Sequence, residues 1–132
     1  MPKCYCIILS ISSSLHQTTN TWNLLGLIDN IQTRNLPIVI PLETHVFWYF
    51  TSEEIGKDFE ARIAMSINTI GIKPSEPLLF NSSTPYTHLR LRGVALDRVG
   101  EYHVHIEWRR IGSGDWTRED VFWPFTVSFH YD

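Results

Sequence analysis

Two cysteines in 132 residues are too few for a disulfide framework, and Cys4 and Cys6 stand only two positions apart. On an extended strand both side chains would share one face, held too rigidly to close a relaxed bridge on each other. A Cys-x-Cys pair is half of a metal site, but no second pair exists, so buried free thiols are expected. The chain also lacks a long apolar run. Its longest, Cys4 to Leu9, is strand-sized, far short of the roughly 20 residues that span a bilayer, and no membrane partner is expected. Positive charge is scarce too: 11 Lys and Arg stand against 14 Asp and Glu, a net charge of -3. A protein of that balance has no global field to draw phosphate backbones, which disfavours nucleic acid as a partner. Lys3 followed by Cys4 to Leu9 has the order of a signal peptide, but with one basic residue, a short core and no clean small-x-small site. With so little cysteine, a cytoplasmic rather than a secreted protein is expected.

What is present leans to β structure. Hydrophobic residues make up 43%, charged residues 19% and aromatic residues 13%, an ordinary globular balance rich in the side chains that suit pleated surfaces. The length fits one domain over residues 1–132. Cys4 to Ser12 reads as a strand, and the polar run from Ser12 to Asn20 as a loop. Trp22 to Gln32 is a second strand, with Gly26 a bulge or close-packing point. Arg34 to Pro37 breaks it. Pro37 and Pro41 frame Ile38 to Ile40, which fits only a short edge segment.

His45 to Phe50 is the most aromatic strand. Phe59 to Ile67 alternates strictly, with Phe59, Ala61, Ile63, Met65 and Ile67 inward, which outweighs a helical reading of Asp58 to Ser66. Asn68 to Tyr86, with three prolines, is a long connection holding a brief strand at Leu78 to Phe80. Thr87 to Leu96, Glu101 to Arg110 and Trp116 to Tyr131 complete the set, the last turning Val121, Trp123, Phe125, Val127 and Phe129 inward. About eight strands with a turn every ten or so residues predict an all-β sandwich or barrel.

Leu96-Asp97-Arg98-Val99-Gly100-Glu101-Tyr102-His103-Val104 resembles the corner leading into strand F of immunoglobulin-like domains, where a Tyr hydroxyl bonds back to the turn. The resemblance covers residues 45–131 and implies a single immunoglobulin-like antiparallel sandwich of about seven to nine strands. It makes Tyr102 the corner residue, puts Val104 in place of the second cysteine, and lets Trp48 stand for the core Trp. The segment Leu25 to Asp29 is also similar to one in uncharacterised bacterial proteins made of one such sandwich. Neither likeness brings catalytic residues with it, and the fold alone does not fix a function.

Three constellations carry candidate chemistry. Alternation puts His103, His105 and Glu107 on one face, where imidazoles ~7 Å apart can share a metal ion. His88, on a strand expected beside theirs, would add a third nitrogen. Arg90, Arg92 and Arg109 on that face oppose a cation and point instead to an anionic ligand, or merely to cross-strand pairing with Glu60, Glu101 and Glu107. Phe47, Tyr49 and Phe122 fall opposite the inward aromatics, so they either lie under the 68–86 connection or meet another protein chain. Catalysis has little support. Ser12 to Ser14 lack a nucleophile elbow, Gly112 to Gly114 lack the Lys and helix of a phosphate loop, and the cysteines sit in an apolar strand. A non-enzymatic interaction module without cofactors is expected, binding a partner or itself as a homodimer. Phe47, Tyr49 and Phe122 would anchor the contact, and Arg90, Arg92 and Arg109 would steer it.

Overall fold

The computed structural model describes residues 2–19 and 21–130, and among them no residue is helical. Eleven strands follow in chain order: β1 (Lys3–His16), β2 (Thr21–Leu27), β3 (Asn30–Thr33), β4 (Ile38–Tyr49), β5 (Phe59–Ile67), β6 (Ile70–Gly71), β7 (Leu78–Phe80), β8 (Tyr86–Leu96), β9 (Gly100–Arg110), β10 (Thr117–Arg118) and β11 (Trp123–Phe129). They form two sheets packed as a sandwich. Sheet I runs β2-β1-β4-β8, and sheet II runs β3-β11-β9-β5-β6, with β10 also paired to β9 and β7 to β5. The pairings are antiparallel except for β3 beside β11, which is parallel.

One core lies between the sheets, because each central strand turns alternate apolar residues inward. Sheet I supplies Cys4, Leu9, Val46, Trp48 and Leu96, and sheet II supplies Phe59, Ala61, Tyr102, Val104, Ile106 and Phe125, all at 2% exposure or less. The inward set of β5 is the expected one, Ile63 and Met65 packing partly buried against the core. Val121, just before the last strand, and Trp123 within it pack there too, while Phe129 is 42% exposed. Expected position Tyr131 lies outside the described residues. The Tyr102 hydroxyl donates to the Arg98 carbonyl at 2.7 Å and accepts the Arg98 N–H at 3.4 Å, the stapled corner that the sequence suggests. Trp48, however, lies in the sheet opposite Tyr102, whereas immunoglobulin-like domains keep their core Trp on a strand of the corner tyrosine's sheet. The strands beside β9 are β5 on one edge and β10 and β11 on the other, not the aromatic one.

Five local readings change. The polar residues Ser12 to His16 are strand, not loop, since their backbones pair with Leu25 to Thr21 of β2. Pairing through the backbone does not depend on side-chain polarity. The segment Trp22 to Gln32 is two strands. At the break Ile28 N–H donates to Leu9 of sheet I at 3.0 Å, and Asp29 accepts the Thr126 N–H of sheet II at 3.0 Å. The chain changes sheets there. Ile38 to Ile40 is the start of the long strand β4, with Pro41 in a register break between Ile40 and Glu43, a place where a missing N–H is tolerated. In place of one strand from Trp116, Thr117–Arg118 and Trp123–Phe129 are separate strands on one side of β9. A bulge between Cys4 and Cys6 sets Cys4 opposite Trp48 and Cys6 opposite Phe47, so the two thiols take opposite faces. Burial pushes the Cys4 thiol up to about 12, and it stays protonated. At Gly26 (φ +68) an added Cβ would meet Ile11 at 2.7 Å, which makes it a close-packing point.

Candidate functional site

The outer face of sheet I holds the densest chemistry. Alternation on β4 turns Glu43, His45, Phe47 and Tyr49 outward, and His45 is fully buried all the same. His45 Nδ1 lies 2.8 Å from His88 Nε2 on β8, and His45 Nε2 lies 3.0 Å from Ser10 Oγ on β1. Ser10 Oγ in turn donates to the Ser12 carbonyl at 3.2 Å. One direction satisfies every group: His88 Nε2–H donates to His45, His45 Nε2–H donates to Ser10, and both rings are neutral. Burial holds His88 down at about 4, with the charges of His45 and Arg90 adding to it. Burial lowers His45 as well.

Beside this chain sits Glu43, 4% exposed, with Arg92 Nε at 3.4 Å and Arg90 Nη1 at 3.7 Å. Burial pushes the Glu43 carboxyl up, but a hydrogen bond from Ser13 and the charges of Arg90, His45 and Arg92 outweigh it and leave it below its ordinary value. The Phe47 ring stacks on His88 with centroids 4.5 Å apart, the Trp22 ring stands edge-on to His88 at 5.0 Å, and Arg90 lies over Trp22 at 5.3 Å. The aromatic cluster continues outward through Tyr5, 6.2 Å from Phe47, and Tyr86, 6.4 Å from Tyr5 and 5.5 Å from Tyr49. Tyr5, Tyr49 and Tyr86 are 50%, 42% and 64% exposed.

The outer face of sheet II is an ion-paired lattice. Arg109 meets Glu60 at 2.7 Å, and Glu107 accepts from Arg62 at 2.8 Å and from Arg118 at 3.3 Å. Arg62 and Arg109 lie over the ring of Trp116 at 4.1 and 4.3 Å, and Phe122 stacks on His103 and His105 at 4.5 and 5.3 Å. The segment after β9 therefore folds back over its own sheet. Cross-strand pairing accounts for Arg62, Arg109 and Arg118, while His103 meets Glu101 of its own strand at 2.9 Å. Burial lowers His105, and Arg118 and His103 add to it.

The sequence candidates thus divide between two surfaces. Phe47, Tyr49, His88, Arg90 and Arg92 belong to sheet I, whereas Phe122, His103, His105, Glu107 and Arg109 belong to sheet II. The neighbour of β8 is β4, not β9, so His88 is not beside His103 and His105. Neither the four-residue metal set nor a single basic patch is assembled. No group of three or more His, Cys, Asp or Glu that could hold a metal ion occurs among the described residues. The 68–86 connection runs along β5, where Ser75 and Ile72 bond to Ile63 and Met65. It contributes Tyr86 to the aromatic cluster and does not cover Phe47.

Sequence reasoning missed Ser10, Glu43, His45, Tyr5, Trp22 and Trp116. A signal existed for two of them, since Glu43 and His45 stand at even spacing from Phe47 on one strand face. Ser10, Trp22 and Trp116 reach their partners only through the pairing of distant strands. No protein-family model matches the chain, and no curated protein matches it significantly. No helix among the described residues is long and apolar enough to cross a membrane.

Proposed function

We propose that this protein is a non-catalytic interaction module, an immunoglobulin-like sandwich that binds another protein through the outer face of sheet I. The observation that carries the reading is the cluster of Tyr5, Phe47, Tyr49 and Tyr86, three of whose rings are 42% or more exposed. Four packed aromatics, with Arg90 lying over the neighbouring Trp22 ring, have the composition of an interface centre, where Tyr and Arg are enriched. Rings already held by one another lose little freedom on binding. The stapled Tyr102 corner supports the immunoglobulin-like part of the reading.

Sheet II supports this role less. Its Phe122 is 44% exposed but is a single ring stacked on two imidazoles, with no second exposed aromatic packed against it among the described residues, and its Arg109 is paired. The test compares the parent chain with the Tyr49→Ala, Tyr86→Ala double variant. Sedimentation velocity across a wide concentration range reads self-association, and affinity capture from native extract reads a partner. Association in the parent that the variant loses, at unchanged thermal stability, supports the reading. Capture or dimerisation that the variant retains in full would overturn it.

A further inference from the structure

The two sheets end differently on the side where β8 faces β5. Sheet II is closed there: β6, β7 and the 72–75 segment take up the hydrogen-bonding groups of β5, including Ile63 N–H on Ser75 Oγ at 2.8 Å. Sheet I is open. Among the described residues β8 has one strand partner, β4, so its other edge carries unpaired backbone groups along an 11-residue strand. Three clefts of about 380, 180 and 360 Å³ follow one another beside that edge from Arg90 to Asp97, floored by Ile63, Met65, Ile72 and Val94. The edge is bulged at Gly93 (φ +90), opposite the register break in β4, so a peptide lying along its eight residues, roughly 25 Å at most, would pair in two short runs either side of Gly93.

We propose that the free edge of β8 takes up an extended segment of another protein in which acidic and apolar residues alternate, adding a fifth strand to sheet I. Backbone pairing supplies affinity, while alternate side chains supply specificity. On the inner side, apolar residues would fill the clefts over Ile63 and Ile72. On the outer side the acidic residues would meet Arg92, 67% exposed, which shares the single carboxylate of Glu43 with Arg90, whose guanidinium is turned across β4 onto Ser13 and Trp22. With exposed Lys73 also lining the groove and Asp97 at its end paired to Arg98 at 3.1 Å, four cations (Arg90, Arg92, Lys73 and Arg98) face three carboxylates (Glu43, Glu76 and Asp97). This excess of positive charge, in a chain of net charge -3, selects an acidic strand. It also argues against a second copy: antiparallel β8 against β8 would set Arg90 and Arg92 opposite the same arginines, and like charges directly opposite are destabilising.

The proposal rests on the interaction reading and names the partner's chemistry, but its test does not depend on the aromatic cluster. A fluorescent nine-residue peptide of alternating Glu and Val is titrated into the full chain, beside a Lys-Val peptide. Amide hydrogen exchange is followed in both samples. The Glu-Val peptide is expected to bind about tenfold tighter than the Lys-Val peptide at low salt, from two ion pairs that turn repulsive in the control. Amides of β8 should slow in the complex. Lys73→Glu, at an exposed loop position where folding is undisturbed, should narrow the preference.

Equal affinity for both peptides, binding without slowed exchange in β8, or no binding at about 1 mM would each overturn strand addition. So would a concentration-dependent dimer that protects β8 without peptide. If peptide binding fails while the Tyr49→Ala, Tyr86→Ala variant still abolishes association, strand addition falls and the interaction reading stands. If the peptide binds and protects β8 in that variant as in the parent, strand addition is supported whatever the fate of the aromatic face.

Discussion

The outer faces of the two sheets are built from the same residue types and behave differently. Sheet II places each charge directly across from its opposite, Glu60 against Arg109 and Arg62 against Glu107, at partly exposed positions. Such pairs are screened by water and salt and each contributes little. Sheet I gathers its polar groups around one carboxylate and one imidazole that are almost wholly buried, with Trp22 and Phe47 against His88. Buried polar groups of this kind cost heavily when a partner is lost. Similar composition thus yields a solvated lattice on one face and a rigid polar core on the other. The aromatic cluster stands on the rigid one, which suits a surface that must meet a partner preformed.

Mutations that remove one polar partner from each face test this contrast most directly. His45→Ala should cost about 3 kcal/mol, because it takes the acceptor from His88 Nε2–H and the donor from Ser10 Oγ, which keeps only its bond to Ser12, and opens a void. Urea denaturation measures it, and a cost below about 1 kcal/mol would show that the imidazole pair is not the stabilising element of sheet I.

Acid should distinguish the faces next. His88 and His45 are held low when folded and regain the ordinary value of 6.5 when unfolded. Between pH 6.5 and about 4 the unfolded chain binds protons that the folded chain refuses, so stability is intact above this window and falls as pH drops through it. Glu43, depressed when folded, adds a further loss at lower pH. His88→Gln keeps a donor for His45 without titrating, and should flatten the fall in urea midpoint between pH 7.5 and 4.5. A fall of unchanged steepness would move its origin elsewhere, with His105 of sheet II the next group to replace.

Smaller effects are expected on sheet II. Trp116→Ala should cost about 1 kcal/mol, the ring's contact with two guanidinium groups being lost at a partly exposed site. Arg109→Ala should cost about 0.5 kcal/mol, and less in high salt. If Arg109→Ala proved as damaging as His45→Ala, the distinction between the faces would be gone.

Much of the sandwich was legible in the chain. The alternation of Phe59 to Ile67, the apolar set of Glu101 to Arg110 and the corner at Tyr102 each report a local constraint, namely which residues face the core and where the backbone turns. Burial of one face imposes a period of two, and that period is written in the residues themselves. Gly26 was legible for the same reason, since its missing side chain marks the close approach of Ile11. The candidate site was legible only in pieces. Phe47, Tyr49, Arg90 and Arg92 are visible in the sequence, but the local pattern groups Phe47 and Tyr49 with Phe122, and Arg90 and Arg92 with His103, His105 and Arg109, because strands consecutive in the chain read as neighbours in a sheet.

The sequence by itself determined the fold class, the inward and outward sets of the central strands, and the corner that leads into β9. Only the tertiary structure decided which strand lies beside which. The chain changes sheets at Ile28 and Asp29 and again between β8 and β9, so His88 meets His45 of the adjacent β4 rather than the histidines of the next strand. Alternation says which face a residue takes within its strand. Strand pairing depends on long-range packing and hydrogen bonding, which a local pattern does not encode.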